Sequence, residues 1–280
     1  MTLIAALAAA RETRFSGQRT GEVALQRAAR AVRFLGETRR ASRVTEADLG
    51  RMVRAMRAQG LGPATCNRYL AALAVVLRAA GAAPALPWQT EPPGRTRWLT
   101  RVEVDALAAA CLPKRHGLAV STLVRFLAET GLRVGEALAL QWADLELDGP
   151  RPHAQVRTSK NGDPRWVPLT SDAVQAARTR LDLPGGLVPP AAGPWYGLSQ
   201  SVVNHVFRAA REAVTSTAGD PEVVVHTLRH TCGSRLVRAN VTLPLVQAWL
   251  GHRDFRSTLR YVHPDQDGLV NASKLLQENS

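Results

Sequence analysis

The residues that could do chemistry together form an ordered set in the second half of the chain. They are two arginines, a lysine, two histidines and a tyrosine: Arg133, Arg229, Lys160, His226, His252 and Tyr261. Two arginines can bind the nonbridging oxygens of a phosphodiester bidentately and favour the crowded transition state of attack at phosphorus. A tyrosine oxygen can displace a sugar oxygen and keep the bond energy in a phosphotyrosine linkage, after which the leaving oxygen needs a proton. These residue types therefore indicate covalent transfer chemistry at a phosphodiester.

The His-x-x-Arg pattern does not identify such a site by itself. The chain contains two such pairs, His205 with Arg208 and His226 with Arg229. Among seven histidines and many arginines, chance alone supplies about one pair of this kind. The surrounding sequence therefore has to decide between them.

Four runs surround the candidate residues in a fixed order. They are Thr130 to Leu138 (TGLRVGEAL), Ser159 to Gly162 (SKNG), His226 to Thr231 (HTLRHT) and Leu250 to His252 (LGH), and Tyr261 lies nine residues after His252. In order, spacing and surrounding apolar residues, they resemble the tyrosine recombinase family, the phage integrases and their relatives. The resemblance spans roughly residues 98–265, and residues 44–80 look like the family's helical DNA-clamping domain with a less diagnostic pattern.

The resemblance implies how a scissile phosphate is held. Arg133 and Arg229 bind it, and His252 donates a hydrogen bond to a nonbridging oxygen. Glu136, one helical step beyond Arg133, supports the pocket.

The resemblance also implies how the strand is cut. Tyr261 is joined to the 3′ phosphate and a 5′ hydroxyl is freed, with Lys160 as the general acid and His226 orienting Tyr261 or accepting its proton. The implied protein is a site-specific DNA recombinase, an integrase that inserts or excises a phage or mobile genetic element. The implied reaction uses no metal, nucleotide or other cofactor.

Each residue also has a purely structural interpretation. Arg133 could be a solvated residue at a helix start, Glu136 a favourable first-turn acid, and Lys160 a solvated turn residue. The histidines could be structural, and His230 is interpreted as structural or as a helper near the site. The competing tyrosines are Tyr69, on a helical apolar face, and Tyr196, in a Gly/Pro loop. Neither has a comparable pattern around it.

Composition indicates a polyanionic partner. The net charge is +13 and the pI is about 11.1, which predicts binding to nucleic acid or to an anionic surface. Membrane is the weaker choice, because no apolar run approaches the ~20 residues of a spanning helix, and residues 1–10 read as an ordinary helix without a basic leader. Cys66, Cys111 and Cys232 show no metal-ligand spacing. The sparse cysteines suggest a reducing cytosol, and together with the resemblance this leads us to expect a cytoplasmic protein of a bacterial cell, associated with the nucleoid.

The proline-rich stretch 83–97 indicates a linker between two domains. We predict a helical core-type DNA-binding domain over 1–86, a linker over 87–98 and a catalytic domain with a C-terminal tail over 99–280. The abundance of Ala and Leu favours a mainly α fold, with a small antiparallel β-sheet. Together the two domains should form a clamp on double-stranded DNA.

In the first domain, Thr45 is a helix N-cap, and a second helix runs over about 64–80. Asn67 and Arg68 lie at the start of that helix, where they suit phosphate contacts.

In the second domain, Thr100 and Glu103 form a capping-box pattern. Helices are predicted at about 101–111, 117–130, 134–141, 171–181, 199–214, 227–238, 243–250, 256–261 and 268–277. Asn-Gly within 158–163 predicts a hairpin between strands 153–157 and 165–169. His205, Arg208 and Arg211 on the 199–214 helix fit either DNA contacts or a solvated basic face equally well.

The tail carries Leu269, Val270, Leu275 and Leu276 at helical spacing. It could pack on its own domain, or, as the resemblance implies, dock into a neighbouring subunit of a homotetramer assembled on DNA recombination sites. An accessory DNA-bending or directionality protein is a further partner that the resemblance allows. Two rival functions stay open: a type IB topoisomerase that relaxes supercoils as a monomer, and a DNA-binding regulator that has lost catalysis.

Overall fold

A computed structural model describes residues 1–17, 21–92, 97–157, 164–181 and 192–261. The chain divides into two compact units, Met1–Pro93 and Gly94–Ser280. This division falls inside the stretch 87–98 that the sequence marks as a linker. The fold is mostly helical with a small antiparallel sheet, as predicted.

The described residues of the first unit form four α-helices. They are α1 (Leu3–Ala10), α2 (Gly21–Leu35), α3 (Glu46–Ala58) and α4 (Pro63–Ala79), with a π-helical turn at Arg11–Phe15 and a 3-10 turn at Ala41–Arg43. Helix α3 begins with a capping box, because Thr45 Oγ1 accepts from the amide of Asp48 and the Asp48 carboxylate accepts from the amide of Thr45. The apolar faces of the helices meet in a core that includes Leu49, Met52 and Leu70.

The second unit carries the remaining elements. Its helices are α5 (Arg101–Cys111), α6 (Gly117–Thr130), α7 (Val134–Ala139), α8 (Ser171–Leu181), α9 (Gln200–Ala213), α10 (Val225–Arg238), α11 (Leu243–Leu250) and α12 (Arg256–Leu259). Helix α6 is central and packs against α5, α8 and α10. Its Phe126 lies against the fully buried Trp195, with ring centroids 4.5 Å apart. The Thr100–Glu103 capping box at the start of α5 is present.

A three-stranded antiparallel sheet lies in the order β1 (Leu145–Glu146), β2 (His153–Val156) and β3 (Arg165–Pro168). Strands β2 and β3 form the predicted hairpin, in a register that pairs Ala154 with Val167 and Val156 with Arg165. Residues 158–163, which include Lys160 and the predicted turn, and the tail from 262, with its predicted helix, lie outside the described residues. Strand β1 was not predicted, since two residues are too few to show an alternating pattern.

The turn between α6 and α7 determines where Arg133 lies. Gly131 ends the helix with a left-handed backbone, φ 66°. A Cβ there would lie 2.6 Å from Leu250 Cδ2 and 3.0 Å from Cys232 Sγ, so only glycine fits between these side chains. The chain turns at this point and starts α7, which leaves Arg133 at the N-cap position. Among the described residues no helix is long and apolar enough to cross a membrane.

Candidate active site

Arg229 is a buried cation at the centre of the second unit. It lies on α10 and is 2% exposed. Nη1 donates to the carbonyl of Gly131 at 2.7 Å and Nη2 to the carbonyl of Leu250 at 2.6 Å. Burial, together with the nearby charge of Arg133, lowers the pKa of Arg229 to about 10. The guanidinium therefore stays charged at neutral pH, and it ties the end of α6 to the end of α11.

Arg133 and Glu136 form an ion pair at the start of α7. Arg133 Nη1 donates to Glu136 Oε1 at 2.7 Å, and the Arg133 amide donates to Glu136 Oε2 at 3.0 Å. Arg133 keeps a quarter of its side chain exposed, whereas Glu136 is buried. Burial disfavours the charged carboxylate, but hydrogen bonds from Arg165 and Arg133 outweigh that effect and hold the pKa of Glu136 below its usual range.

Arg165 belongs to the same cluster, although the sequence analysis did not single it out. Its side chain is 8% exposed. Nη2 and Nη1 donate to the two Glu136 oxygens at 2.7 and 3.3 Å, and Nε donates to the carbonyl of Trp249 at 3.1 Å. The strand register could have predicted that Arg165 is buried. Cross-strand partners share a face of a sheet, and the hairpin pairs Arg165 with the buried Val156, so the register turns this arginine inward.

His252 follows the left-handed Gly251 that ends α11, φ 65°. Its Nδ1 lies 2.9 Å from Thr258 Oγ1. Burial, and then the charges of Arg229 and Arg133, lower the pKa of His252 to about 3. The ring is therefore neutral at physiological pH. If the Thr258 hydroxyl donates to Nδ1, the ring proton is on Nε2, the tautomer required of a donor to a phosphate oxygen.

We expect the pKa of His252 to rise when DNA binds, because a phosphate anion beside Arg133 and Arg229 would offset the charges that lower it. In free protein the assigned His252 ring signal should stay that of a neutral imidazole over pH ~5–8, where ordinary histidines titrate. With DNA bound to Tyr261→Phe protein, which lacks the expected nucleophile, the signal should titrate within that range.

A His252→Gln variant assigns the signal in this NMR titration. An unchanged titration with DNA would mean that no phosphate reaches this histidine. The lowered pKa of His252 also makes the stability of the free protein depend on pH. Since the unfolded chain binds this proton more readily than the folded one, His252 lowers the stability as the pH falls below ~6.5.

Tyr261 lies just beyond α12 and is 6% exposed. Its Oη is 3.2 Å from His230 Nδ1, and its ring is nearly parallel to that of His252, with 6.2 Å between centroids and an 11° interplanar angle. Burial raises the pKa of Tyr261, although the charge of Arg229 opposes the shift. The phenol is therefore protonated at neutral pH and would need a base to react.

Of the two histidines on α10, His230 contacts Tyr261 and His226 contacts His230. His226 is exposed in the first turn of α10, and its ring meets that of His230 edge-on at 4.9 Å between centroids. His230 is buried and makes the hydrogen bond to Tyr261. Helix α10 thus presents His226, Arg229 and His230 on adjoining turns.

Two of the residues predicted to bind DNA, Asn67 and Arg68, belong to the first unit. Arg68 is exposed on α4, but the Asn67 amide is engaged within the first unit: Nδ2 donates to the Gln89 carbonyl at 2.9 Å and to Glu91 Oε1 at 2.7 Å, and Oδ1 accepts from the Gln89 amide at 2.8 Å. Asn67 therefore has a structural role within the first unit in addition to the DNA contact predicted for it.

In the second unit, His205 and Arg208 are exposed along a groove on α9. Arg211 lines the same groove, is more buried and pairs with Glu212. The exposed face of α9 thus offers His205 and Arg208 to a ligand more readily than Arg211.

The chain belongs to the phage integrase family, whose sequence model matches residues 97–267. Tyrosine recombinase XerD of Caulobacter vibrioides is 27% identical over 227 residues, 74% of this chain and 72% of its own length. Type 1 fimbriae regulatory protein FimE of Escherichia coli is 29% identical over 171 residues, 60% of this chain and 85% of its own length.

Two solved structures share the fold. The Tn1549 transposon integrase in complex with transposon right end DNA superimposes with a TM-score of 0.76 at 18% identity, covering 99% of this chain and 100% of its own. A lambda integrase(75-356) dimer bound to a COC' core site gives a TM-score of 0.72 at 22% identity, covering 93% and 95%. The protein is thus a tyrosine-type DNA recombinase, an enzyme of DNA strand breakage and rejoining.

Proposed function

We propose that this recombinase integrates or excises a mobile DNA element by cutting each strand with Tyr261 and forming a 3′-phosphotyrosine. The observation that carries the proposal is the meeting of Tyr261 Oη, 3.2 Å from His230, with His252 and the cations Arg229 and Arg133 in one cluster. That cluster supplies a nucleophile, a nearby base and positive charge for a phosphate.

In this proposal Arg133 and Arg229 bind the nonbridging oxygens of the scissile phosphate. Each guanidinium has five N–H donors, so the bonds of Arg229 to two carbonyls leave it donors for an anion. The fields of both cations already reach His252 and lower its pKa. A neutral His252 adds a hydrogen bond to the phosphate without adding a charge.

The attack forms a bond from Tyr261 Oη to phosphorus and breaks the bond to the 5′ oxygen. Because the pKa of Tyr261 is raised, its proton must leave as the new bond forms, and His230 is in position to accept it. His226 can assist through its contact with His230. Lys160 is assigned the proton that the 5′ oxygen takes up. One phosphodiester replaces another, so the exchange calls for no nucleotide or metal.

The DNA partner is double-stranded recombination-site DNA. A net charge of +13 supports tight, salt-sensitive binding to phosphates. Exposed Arg68 in the first unit and His205 and Arg208 in the second are the proposed contacts. We assign assembly to a homotetramer joined through the C-terminal tail, with an accessory bending or directionality protein as an optional partner.

The test is covalent trapping on a nicked duplex that carries the attachment site, identified by sequencing element junctions. Wild-type protein should give an adduct that resists denaturation, and Tyr261→Phe should give none. Tyr196→Phe is the matched control, because Tyr196 is 63% exposed and lies outside the cluster; it should react like the wild type.

Other results would point elsewhere. No adduct from wild type despite specific binding would favour a regulator that has lost catalysis. Supercoil relaxation by single subunits without site preference would favour a type IB topoisomerase. An adduct that survives Tyr261→Phe would identify another tyrosine as the nucleophile.

A further inference from the structure

Arg165 is a buried arginine to which the proposed reaction assigns no part. It is the first residue of β3. Its three hydrogen bonds reach a carboxylate on α7 and a carbonyl at the end of α11. An arginine this buried is costly unless its charge is matched and its donors are used, and here Glu136 and Trp249 do both.

Glu136 would otherwise cancel the charge of Arg133. Alone with this ionised carboxylate, Arg133 would form a neutral pair with little attraction for a phosphate. Arg165 gives the carboxylate a second cation, held by two bonds at 2.7 and 3.3 Å. One positive charge is then left over in the group of three. It is most accessible on Arg133, whose side chain is 25% exposed against 8% for Arg165.

Arg165 also fixes the backbone from which His252 projects. Its Nε holds the Trp249 carbonyl at 3.1 Å, and Arg229 holds the next carbonyl along, that of Leu250, at 2.6 Å. The Arg165 side chain packs on Gly251 so closely that a Cβ there would lie 2.9 Å from Arg165 Cδ and Nε. The end of α11 is therefore fixed by two arginines just before His252.

We propose that Arg165 is a positioning residue for strand cleavage: it neutralises Glu136 so that Arg133 keeps its charge for the scissile phosphate, and it anchors the end of α11 that places His252. This inference rests on the proposed function, since it assumes that Arg133 meets a phosphate. An arginine that only stabilises the fold would affect all substrates alike. An arginine that preserves positive charge matters less when the phosphate carries less negative charge.

The experiment compares two nicked substrates, one with an ordinary scissile phosphate and one with a methylphosphonate, which lacks the negative charge at that position. Single-turnover adduct formation is measured at saturating protein for wild type, Arg165→Met, Glu136→Gln and the double variant. Arg101→Met is the matched control, because it removes an arginine from a solvent-exposed pair with Asp172.

On the ordinary phosphate, Arg165→Met should react about a hundredfold more slowly than wild type. Adding Glu136→Gln should restore about tenfold of that loss. On the methylphosphonate, the deficit of Arg165→Met should shrink to about tenfold or less, the part that anchoring of His252 accounts for. Arg101→Met should stay within about twofold of wild type on both substrates.

Equal losses on both substrates, with no restoration by Glu136→Gln, would reduce Arg165 to a structural residue and overturn the inference. A wild-type rate for Arg165→Met would do the same while leaving the proposed function intact. If the wild type forms no adduct, both this inference and the proposed function are contradicted. Should Arg165→Met not fold, Arg165→Gln, which removes the cation but keeps a hydrogen-bond donor, takes its place in the same comparison.

Discussion

An Arg229→Lys variant should form the covalent adduct about 10²–10³-fold more slowly than wild type and should also be less stable. The lysine keeps a positive charge, but its single ammonium cannot replace a planar fork that donates to two carbonyls and still has donors for a phosphate. In the wild type those carbonyls belong to Gly131 and Leu250, at 2.7 and 2.6 Å.

The loss of stability has a separate cause from the loss of rate. A buried carbonyl left without its donor costs about 1–3 kcal/mol, so the free energy of unfolding should fall by about 2 kcal/mol or more. Single-turnover cleavage of the nicked substrate and urea unfolding of the free protein measure the two effects independently.

Arg133→Lys is the matched comparison. Arg133 is a quarter exposed, and its side chain pairs with Glu136, three residues further along the same helix start, so lysine there should slow cleavage with little change in unfolding. Two outcomes would contradict this account: Arg229→Lys cutting at the wild-type rate, or both variants losing the same stability.

The helices and strands could be predicted because their boundaries depend on short sequence patterns. Helix α5 begins where Thr100 and Glu103 form a capping box, and strands β2 and β3 pair on either side of Asn161 and Gly162, which predict a turn. Each of these features depends on residues a few positions apart. The predicted helix 227–238 in fact begins at Val225, because the Thr227 hydroxyl accepts from the amide of Val224 and starts the turn early.

The cluster was harder to predict because its contacts join residues far apart in the chain. The motif runs pointed to Arg229, His252 and Tyr261, and the structure gathers them. That His230 is the histidine hydrogen-bonded to Tyr261 depends on where α12 ends relative to α10, which no local pattern sets. Arg165 depends on strand register and on the position of α11. The role of Lys160 remains a prediction, since it lies outside the described residues.

A Gly233→Ala variant should lose about a hundredfold in cleavage rate while it folds and binds DNA nearly as wild type does. Gly233 lies within α10 directly against the hydroxyl-bearing end of the Tyr261 ring. A Cβ there would be 2.7 Å from Tyr261 Cζ and 2.8 Å from Cε2, so the ring must shift. A displacement of about 1 Å at a reacting atom can cost 10²-fold in rate, and this shift would also disturb the bond to His230.

The stability should change far less than the rate. Alanine favours a helix over glycine by about 1 kcal/mol, which offsets part of an overpacking cost of about 1–3 kcal/mol. Urea unfolding measures the stability of the variant, and a binding titration measures its affinity for DNA. Single-turnover cleavage measures the rate separately. Gly50→Ala in α3 is the matched control, because a Cβ there would come no closer than 3.4 Å, to the end of the Arg54 side chain, and its cleavage rate should be unchanged.

Under the proposed function, the result decides whether Tyr261 reacts from the position in which it is packed. If Gly233→Ala slows cleavage without weakening DNA binding, the ring must stay against α10 when it attacks, and the hydrogen bond to His230 belongs to the reacting arrangement. If Gly233→Ala cuts at the wild-type rate, the tyrosine leaves this pocket before it reacts. His230 would then hold Tyr261 only in the resting enzyme, and the base for the attack would have to be sought around the scissile phosphate, with His226 as the next residue to replace.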